Sequence, residues 1–292
     1  MEQKMIDVES ITQDAVKSLV MEIAFATRAI SPPKFEQAAG RIPYLRDLYA
    51  RTRDILVSEH LGIVYLPVPK SACTLFATML LLKDPRYSDF DPAMEGVHRY
   101  RFRHAALRPR NFDCFTDSEY FKFTVVRDPC KRAVSGYVDK FVKPFMIHAE
   151  LDQGRAKAFS FRDFVEVLCS TSDGRLDKHW RPQYRFFEHL PLDYIGAFEA
   201  LDEVYSKVRE RTGIDVQAEI SEKVYDKAKT GYDASWHESG KHPSDMTPLE
   251  LAELDAIPPA TAFLTQDLRD KLEARYARDK RIHDIALKRD SG

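Results

Sequence analysis

A short apolar run that leads through a tight loop into a helix constrains the fold more than any other feature of the sequence. Residues 62–68 (GIVYLPV) combine β-branched and aromatic side chains, which predicts a buried strand. The loop 69–74 (PKSACT) follows, and 75–83 (LFATMLLLK) predicts a helix. A helix that begins at the end of a strand directs its N-terminal amides toward bound anions. The pattern therefore predicts an α/β protein with an anion site in this loop.

Further strands and helices alternate along the chain. Strands are predicted at 121–126 and 193–198, and helices at 129–141, 161–170, 201–211 and 265–281, whereas 84–119 reads as loops and short helices. Alternation of this kind is typical of a central, mostly parallel sheet flanked by helices in three layers, as in P-loop-like folds. We expect one domain over 56–292. Residues 1–55 carry two helical patterns, at 8–30 and 44–55, and are predicted to form an N-terminal helical extension packed on the main domain.

Composition limits the classes of partner and the cellular location. The net charge is −2 over 292 residues, so no overall basic field favours nucleic acid. The four cysteines have no metal-binding spacing, and no apolar run reaches the roughly 20 residues that span a bilayer. We therefore expect no metal and no membrane span, and we predict a cytoplasmic protein. The sequence leaves open whether the chain forms a homo-oligomer.

The loop itself carries residues suited to binding phosphate. Small side chains at Ser71, Ala72 and Cys73 allow backbone amides to approach an anion, Lys70 adds a positive charge, and Ser71 and Thr74 offer hydroxyl groups. The loop differs from that of nucleotide triphosphatases, because its lysine comes first and it contains no glycine. Taken alone, it is equally compatible with an ordinary strand-to-helix turn.

A second candidate anion site follows the strand at 121–126. Arg127 leaves the end of this strand, where ligands bind in open α/β sheets, and Asp128 is placed to cap the next helix. Ser135 lies two turns into that helix, so that the guanidinium of Arg127 and the Ser135 hydroxyl are predicted to clamp a phosphate. The alternative is a capped helix with basic residues on its surface, which is what we expect for Lys131 and Arg132.

The two motifs, in this order, resemble those of sulfotransferases that use the nucleotide donor PAPS (3′-phosphoadenosine-5′-phosphosulfate). The sequence of 127–141 resembles a motif of the carbohydrate sulfotransferases of the HNK-1, chondroitin and dermatan type (sulfotransferase family 2). The segments 179–183 (HWRPQ) and 194–199 (YIGAFE) resemble further motifs of that group. The resemblance covers about 60–285. It implies that the loop binds the 5′-phosphosulfate and that Arg127 and Ser135, eight residues apart, bind the 3′-phosphate. Ala72 departs from the glycine that many members carry, and the Golgi members' membrane anchor is absent, which favours a cytosolic, bacterial-type enzyme.

The resemblance also implies a reaction. A sulfuryl group is expected to pass from PAPS to a hydroxyl acceptor, which the resemblance to the named group implies is a carbohydrate. PAP, the desulfated nucleotide, is then released, and no metal takes part. Lys70 is the candidate for the leaving oxygen. The base that accepts the hydroxyl proton is expected at His98, with His104 and Glu95 as rivals, since imidazole titrates near neutrality. For His98 and His104 the alternative is an ordinary solvated side chain. His179 is expected to line the site or to position the cofactor beside Trp180, and its alternative is a packed aromatic pair.

Two other functions remain open from the residues. A P-loop-type kinase of a nucleotide or sugar would need a glycine-rich loop and a carboxylate site for magnesium, and neither is recognisable in the sequence. A non-catalytic nucleotide- or glycan-binding module on the same fold is the second alternative, because the fold by itself does not fix the activity.

Overall fold

The computed structural model describes residues 55–104, 106–107, 113–147, 159–188, 190–216, 236–237 and 240–290. The predicted N-terminal extension lies outside them apart from its last residue. The described strands are β1 (Leu56–Ser58), β2 (Ile63–Leu66), β3 (Phe121–Val126) and β4 (Tyr194–Ala197). The described α-helices are α1 (Cys73–Lys83), α2 (Val97–His104), α3 (Asp113–Thr116), α4 (Pro129–Tyr137), α5 (Lys143–Ile147), α6 (Phe161–Ser170), α7 (Leu201–Thr212), α8 (Pro248–Ala252), α9 (Gln266–Arg275) and α10 (Ala277–Asp290).

The four strands form one sheet in the order β1-β2-β3-β4. β1 pairs with β2 in the antiparallel direction, and β2 pairs with β3 in the parallel direction, with Val64 beside Lys122. Every residue of β3 is buried, including Lys122, whose ammonium donates to the carbonyl oxygens of Asp117 (2.7 Å) and Tyr120 (3.0 Å). Its aliphatic stem can therefore lie in the core while its charged end stays solvated by carbonyl groups. The α/β class predicted from the sequence is confirmed.

Most element bounds agree with the sequence patterns, and three differ. α1 begins at Cys73, so Cys73 and Thr74 belong to its first turn and not to the loop. The helix predicted over 129–141 has α geometry to Tyr137 and continues as a π-helical turn, Val138–Val142. The helix predicted over 265–281 is two helices, α9 and α10, interrupted at Tyr276.

The described residues divide into two compact units. The first contains the described part of Met1–Pro67 together with Phe76–Thr124 and Phe186–Ile195. Its centre is an aromatic cluster in which the rings of Tyr65, Phe76 and Phe123 lie 4.9–5.2 Å apart. Such burial of large rings against a sheet supplies much of the stability of an α/β unit.

The second unit contains the described parts of Val68–Leu75, Val125–Arg185 and Gly196–Gly292, and thus the loop 69–74 and α4. Its core is assembled from α4, α6 and α9, and the ring of Tyr137 lies 5.3 Å from that of Phe161. Ser160 and Asp163 form a reciprocal capping box at the start of α6, which explains why the sequence pattern located this helix correctly. Within the described ranges, no helix has the length and apolar composition needed to cross a lipid bilayer.

Candidate anion-binding site

The loop between β2 and α1 has an unusual backbone. Lys70 and Ala72 both have positive φ angles, 70° and 61°, and the buried Ser71 lies between them. The left-handed region disfavours residues that carry a Cβ atom by about 1–2 kcal/mol each. Strained residues of this kind persist where the surroundings fix them, and they cluster at ligand sites. This geometry favours an anion-binding loop over an ordinary turn.

The side chain of Lys70 is largely enclosed. It is 19% exposed, and its Nζ lies 3.2 Å from Oδ2 of Asp139. Burial lowers the pKa of Lys70, and the carboxylate of Asp139 opposes this effect only in part, while the neighbouring Lys143 adds to it. A desolvated ammonium of this kind interacts strongly with an anion that enters its surroundings.

Arg127 connects the second motif with the loop. It follows β3 directly, and its Nη1 donates to the carbonyl oxygen of Lys70 at 3.2 Å. The guanidinium carbon lies 4.4 Å from the ring centroid of Phe198, a cation–π contact that orients the side chain. Two segments separated by 57 positions in the sequence are thus brought together, as the combined motifs predict.

Gln183 holds the two segments in register. Its side chain is fully buried, and Oε1 accepts hydrogen bonds from the amide of Arg127 (2.9 Å) and from Oγ of Ser71 (3.3 Å). Its Nε2 donates to the carbonyl oxygen of Arg127 at 2.8 Å. The sequence singled out 179–183 as a motif but gave Gln183 no role. Only the fold shows that this amide joins both candidate anion-binding segments.

Gln183 is itself anchored by the C-terminal helix. The carboxylate of Asp279 on α10 accepts from the amides of Gln183 (2.6 Å) and Tyr184 (3.0 Å). Asp279 is buried, and burial raises its pKa despite these two hydrogen bonds. The last helix therefore contributes to the arrangement of the site through Gln183.

Helix α4 begins as the sequence predicts. The side chain of Asp128 caps it by accepting from the amide of Lys131 at 2.9 Å, and Pro129 occupies the first turn. Nearly all of α4 is buried, and its two partly exposed residues, Lys131 and Ser135, lie four positions apart. They therefore share one face of the helix. This face carries the hydroxyl group that was predicted to bind phosphate.

The expectation of a surface role is wrong for Arg132. This residue is 2% exposed, and its guanidinium donates to the carbonyl oxygens of Pro69 (2.9 Å), Arg181 (3.0 Å) and Lys178 (3.3 Å). The helix turns Arg132 into the interior, where these three carbonyl groups replace water around the charge. Lys131, with 39% of its side chain exposed, agrees with the expectation.

The three candidate bases lie in the first unit, on or beside α2. His98 and His104 are exposed. The Nε of Arg103 donates to Nε2 of His104 at 3.0 Å, and Arg103 also forms a 2.7 Å salt bridge with Glu95. The lone pair of His104 and the carboxylate of Glu95 are therefore both engaged with Arg103. The identity of the base stays a prediction.

His179 lies in the second unit beside an aromatic side chain. Its Nδ1 is 2.5 Å from Oδ1 of Asp177, and its ring centroid is 6.2 Å from that of Trp180. Burial lowers the pKa of His179 and outweighs the opposing effect of Asp177. Gly136 on α4 allows Trp180 to approach, because a Cβ atom there would lie 2.6 Å from its Nε1.

Comparison with known proteins gives a family and several relatives. A profile described as Sulfotransferase family matches residues 53–283. Carbohydrate sulfotransferase 14 of Mus musculus is 29% identical over 174 residues, which cover 54% of this chain and 46% of the relative. Carbohydrate sulfotransferase 12 of Mus musculus is 24% identical over 267 residues (70% and 64%), and carbohydrate sulfotransferase 10 of Gallus gallus is 26% identical over 191 residues (55% and 52%). The chain thus spans less than two thirds of the length of each of these relatives. No solved structure matches it significantly.

Proposed function

The chain belongs to the sulfotransferase family, and from this premise we propose that it transfers a sulfuryl group from PAPS to a hydroxyl group of a carbohydrate. The names of the relatives support a carbohydrate as the acceptor. The strained loop between β2 and α1 supports a P-loop-like architecture. A cytoplasmic location remains a proposal from the sequence.

The observation that carries the proposal is the contact between the two anion-binding segments. Arg127 donates to the backbone of Lys70, and Gln183 bonds both Arg127 and Ser71. A donor with a 5′-phosphosulfate and a 3′-phosphate needs two anion sites at a fixed separation. In our proposal the loop amides, Lys70, Ser71 and Thr74 hold the former group, and Arg127 and Ser135 hold the latter.

The chemistry requires few groups from the protein. The acceptor oxygen forms a bond to sulfur while the bond between sulfur and the bridging oxygen breaks, and its electron pair stays on the 5′-phosphate of PAP. The ammonium of Lys70 donates a hydrogen bond to this oxygen, where negative charge grows. The proton of the acceptor hydroxyl passes to a base, for which His98 is our candidate.

The first test is a calorimetric titration of the protein with PAP, with ADP and ATP as comparison ligands. We expect submillimolar binding of PAP that is clearly tighter than that of ADP, because only PAP carries the 3′-phosphate. Turnover would then be measured with labelled PAPS and carbohydrate acceptors in the presence of a chelator. A well-folded sample that fails to bind PAP would refute the donor assignment, and magnesium-dependent turnover of ATP would favour the kinase.

Two substitutions separate the roles of the cationic side chains. Lys70→Ala is expected to lower kcat at least about 100-fold, because it removes a donor to the charge that develops on the leaving oxygen. Arg127→Ala is expected to weaken PAP binding by about 10- to 100-fold through the loss of charge-assisted hydrogen bonds. Arg209→Ala, which removes an exposed arginine paired with Asp215, serves as the control. Unchanged PAP affinity in Arg127→Ala would contradict the assignment of the 3′-phosphate.

A further inference from the structure

Asp139 lies among three lysines in the second unit. One carboxylate oxygen is 3.2 Å from Nζ of Lys70, and the ammonium groups of Lys140 and Lys143 lie at 3.7 Å and 3.8 Å. Lys70 is much less exposed than the other two, whose side chains are 41% and 57% exposed. The enclosed ammonium thus shares its carboxylate with two lysines that remain in contact with water.

The position of Asp139 in the fold relates it to the proposed donor site. It lies in the π-helical turn Val138–Val142, which continues α4. Because it follows Ser135 by four residues, it lies about one turn beyond Ser135 on the same side of the helix. Single π-turns inserted in α-helices are often found at functional sites. The same helix therefore presents Ser135 to the predicted 3′-phosphate site and Asp139 to the lysine of the loop.

Given the proposed sulfuryl transfer, we propose that Asp139 is a positioning residue, which holds Lys70 charged and oriented on the donor loop until the donor anion replaces it. Lys70 bonds the bridging oxygen only as an ammonium with a proton to donate. The carboxylate of Asp139 does not touch the reacting atoms in this scheme. It acts through Lys70.

The charges around Lys70 explain why it needs such a partner. Asp139 and Lys143 face its ammonium from the helical segment after α4, and the Cys73 thiol faces it from the first turn of α1. Burial and Lys143 both favour the neutral amine, whereas Asp139 provides the ion pair that favours the ammonium. Without Asp139, a larger fraction of Lys70 would be deprotonated at a given pH.

The other two lysines make exchange feasible. When Lys70 turns toward a donor anion, Asp139 keeps Lys140 and Lys143 within 4 Å, so that its charge is not left unpaired. An unpaired, half-buried carboxylate would oppose this movement, whereas a shared one permits it.

The test compares Asp139→Asn with the wild type over the pH range of activity. Activity requires protonated Lys70, so kcat/KM for the donor falls as the pH rises through the pKa that this residue has in the free enzyme, where Asp139 is its partner. We expect the alkaline limb of the kcat/KM profile to move to lower pH by about one unit in Asp139→Asn, since the free enzyme loses an opposite charge next to the ammonium. Asp139→Glu keeps the charge and should restore most of the wild-type profile. Glu210→Gln, which removes the exposed carboxylate paired with Lys207 on α7, should leave the profile unchanged.

A second measurement does not depend on activity. Competitive labelling of lysines with acetic anhydride, read by mass spectrometry at Lys70, reports the fraction of neutral amine. Below the pKa this fraction rises tenfold for each unit by which the pKa falls, so we expect about tenfold faster labelling of Lys70 in Asp139→Asn. Labelling of Lys207 in the same sample provides an internal reference.

The outcomes separate this inference from the proposed function. Faster labelling together with the shifted profile supports the positioning role. An active enzyme whose Asp139→Asn variant folds, but keeps both the wild-type profile and the wild-type labelling of Lys70, overturns it. A wild type that neither binds PAP nor uses PAPS refutes the proposed function, and the positioning role in sulfuryl transfer with it, even where the labelling still reveals the ion pair.

Discussion

Gln183→Leu removes the side chain that joins the two candidate anion-binding segments while keeping a similar volume. In this variant the backbone amide of Arg127 loses its acceptor, at 2.9 Å, and the carbonyl oxygen of Arg127 loses its donor, at 2.8 Å. The hydroxyl of Ser71 loses an acceptor at 3.3 Å. The backbone bond from Gln183 to Asp279 is retained, because it does not involve the side chain. The substitution therefore tests the bridge and leaves the anchor in place.

The size of the effect follows from these three contacts. A hydrogen bond lost at a buried polar group costs about 1–3 kcal/mol. Arg127 is half-buried and can recruit water in part, so the lower value applies to its two groups, whereas Ser71 is fully buried. We expect the free energy of unfolding to fall by about 3–5 kcal/mol. We also expect weaker binding of PAP, because Arg127 and the loop lose their common partner.

Urea denaturation measures the first effect and calorimetric titration with PAP the second. Gln266→Leu is the matched control, because Gln266 is exposed on α9 and its Nε2 donates to Asp270, at 2.7 Å, on the same helix. Its unfolding free energy should change by less than about 0.5 kcal/mol. A Gln183→Leu variant as stable as this control, with the PAP affinity of the wild type, would refute the idea that Gln183 organises the site.

Other substitutions test the neighbouring features. Ala72→Gly should raise the free energy of unfolding by about 1 kcal/mol in urea denaturation, because glycine tolerates the positive φ; a loss of stability would contradict the strain. Arg132→Met should lower it by about 3 kcal/mol, because three carbonyl groups lose their donor, whereas Lys131→Met should change it little; equal effects would argue against the interior role of Arg132. Burial lowers the pKa of His283, but the carboxylate of Glu199 at 2.8 Å outweighs it and the pKa is raised. This pair therefore stabilises the protein below about pH 6.5 and progressively less as the pH rises through the pKa of His283 in the folded state. When urea denaturation is measured from pH 6 to 8.5, the unfolding free energy of His283→Gln should depend less on pH than that of the wild type. Equal slopes for the two proteins would exclude the pair as the cause.

The elements that the sequence predicted well have local causes. β3 is an apolar run apart from Lys122 and Thr124, and α6 has both a periodic apolar face and a capping box. β1 was missed, because three residues carry too little pattern and its pairing partner lies further along the chain. The interruption at Tyr276 was also missed. The hydroxyl of Tyr276 donates to the carbonyl oxygen of Trp180, a contact from a distant segment that the helical periodicity of 265–281 does not contain.

The candidate site likewise combines residues that the local sequence predicts with residues that it does not. Lys70, Ser71, Arg127 and Ser135 could be named as candidates from the sequence because they stand at the spacing of two short motifs. Arg132 was not, although it belongs to the second motif, because its burial depends on carbonyl groups at 69, 178 and 181. In the local sequence, a charged residue beside Lys131 predicts a surface position. A single sequence does not reveal where such a charge finds its partners.

The contacts around the loop explain how its strained backbone is maintained. The carbonyl of Pro69 accepts from Arg132, the carbonyl of Lys70 accepts from Arg127, and the hydroxyl of Ser71 donates to Gln183. Three successive loop residues are thus each held by a different side chain of the same unit. Strained residues persist only where their surroundings fix them in this way. The free energy needed to shape the loop is consequently supplied during folding. Under the proposed function, a donor anion would therefore meet amide groups that are already oriented, and its binding energy would remain for the reacting sulfuryl group.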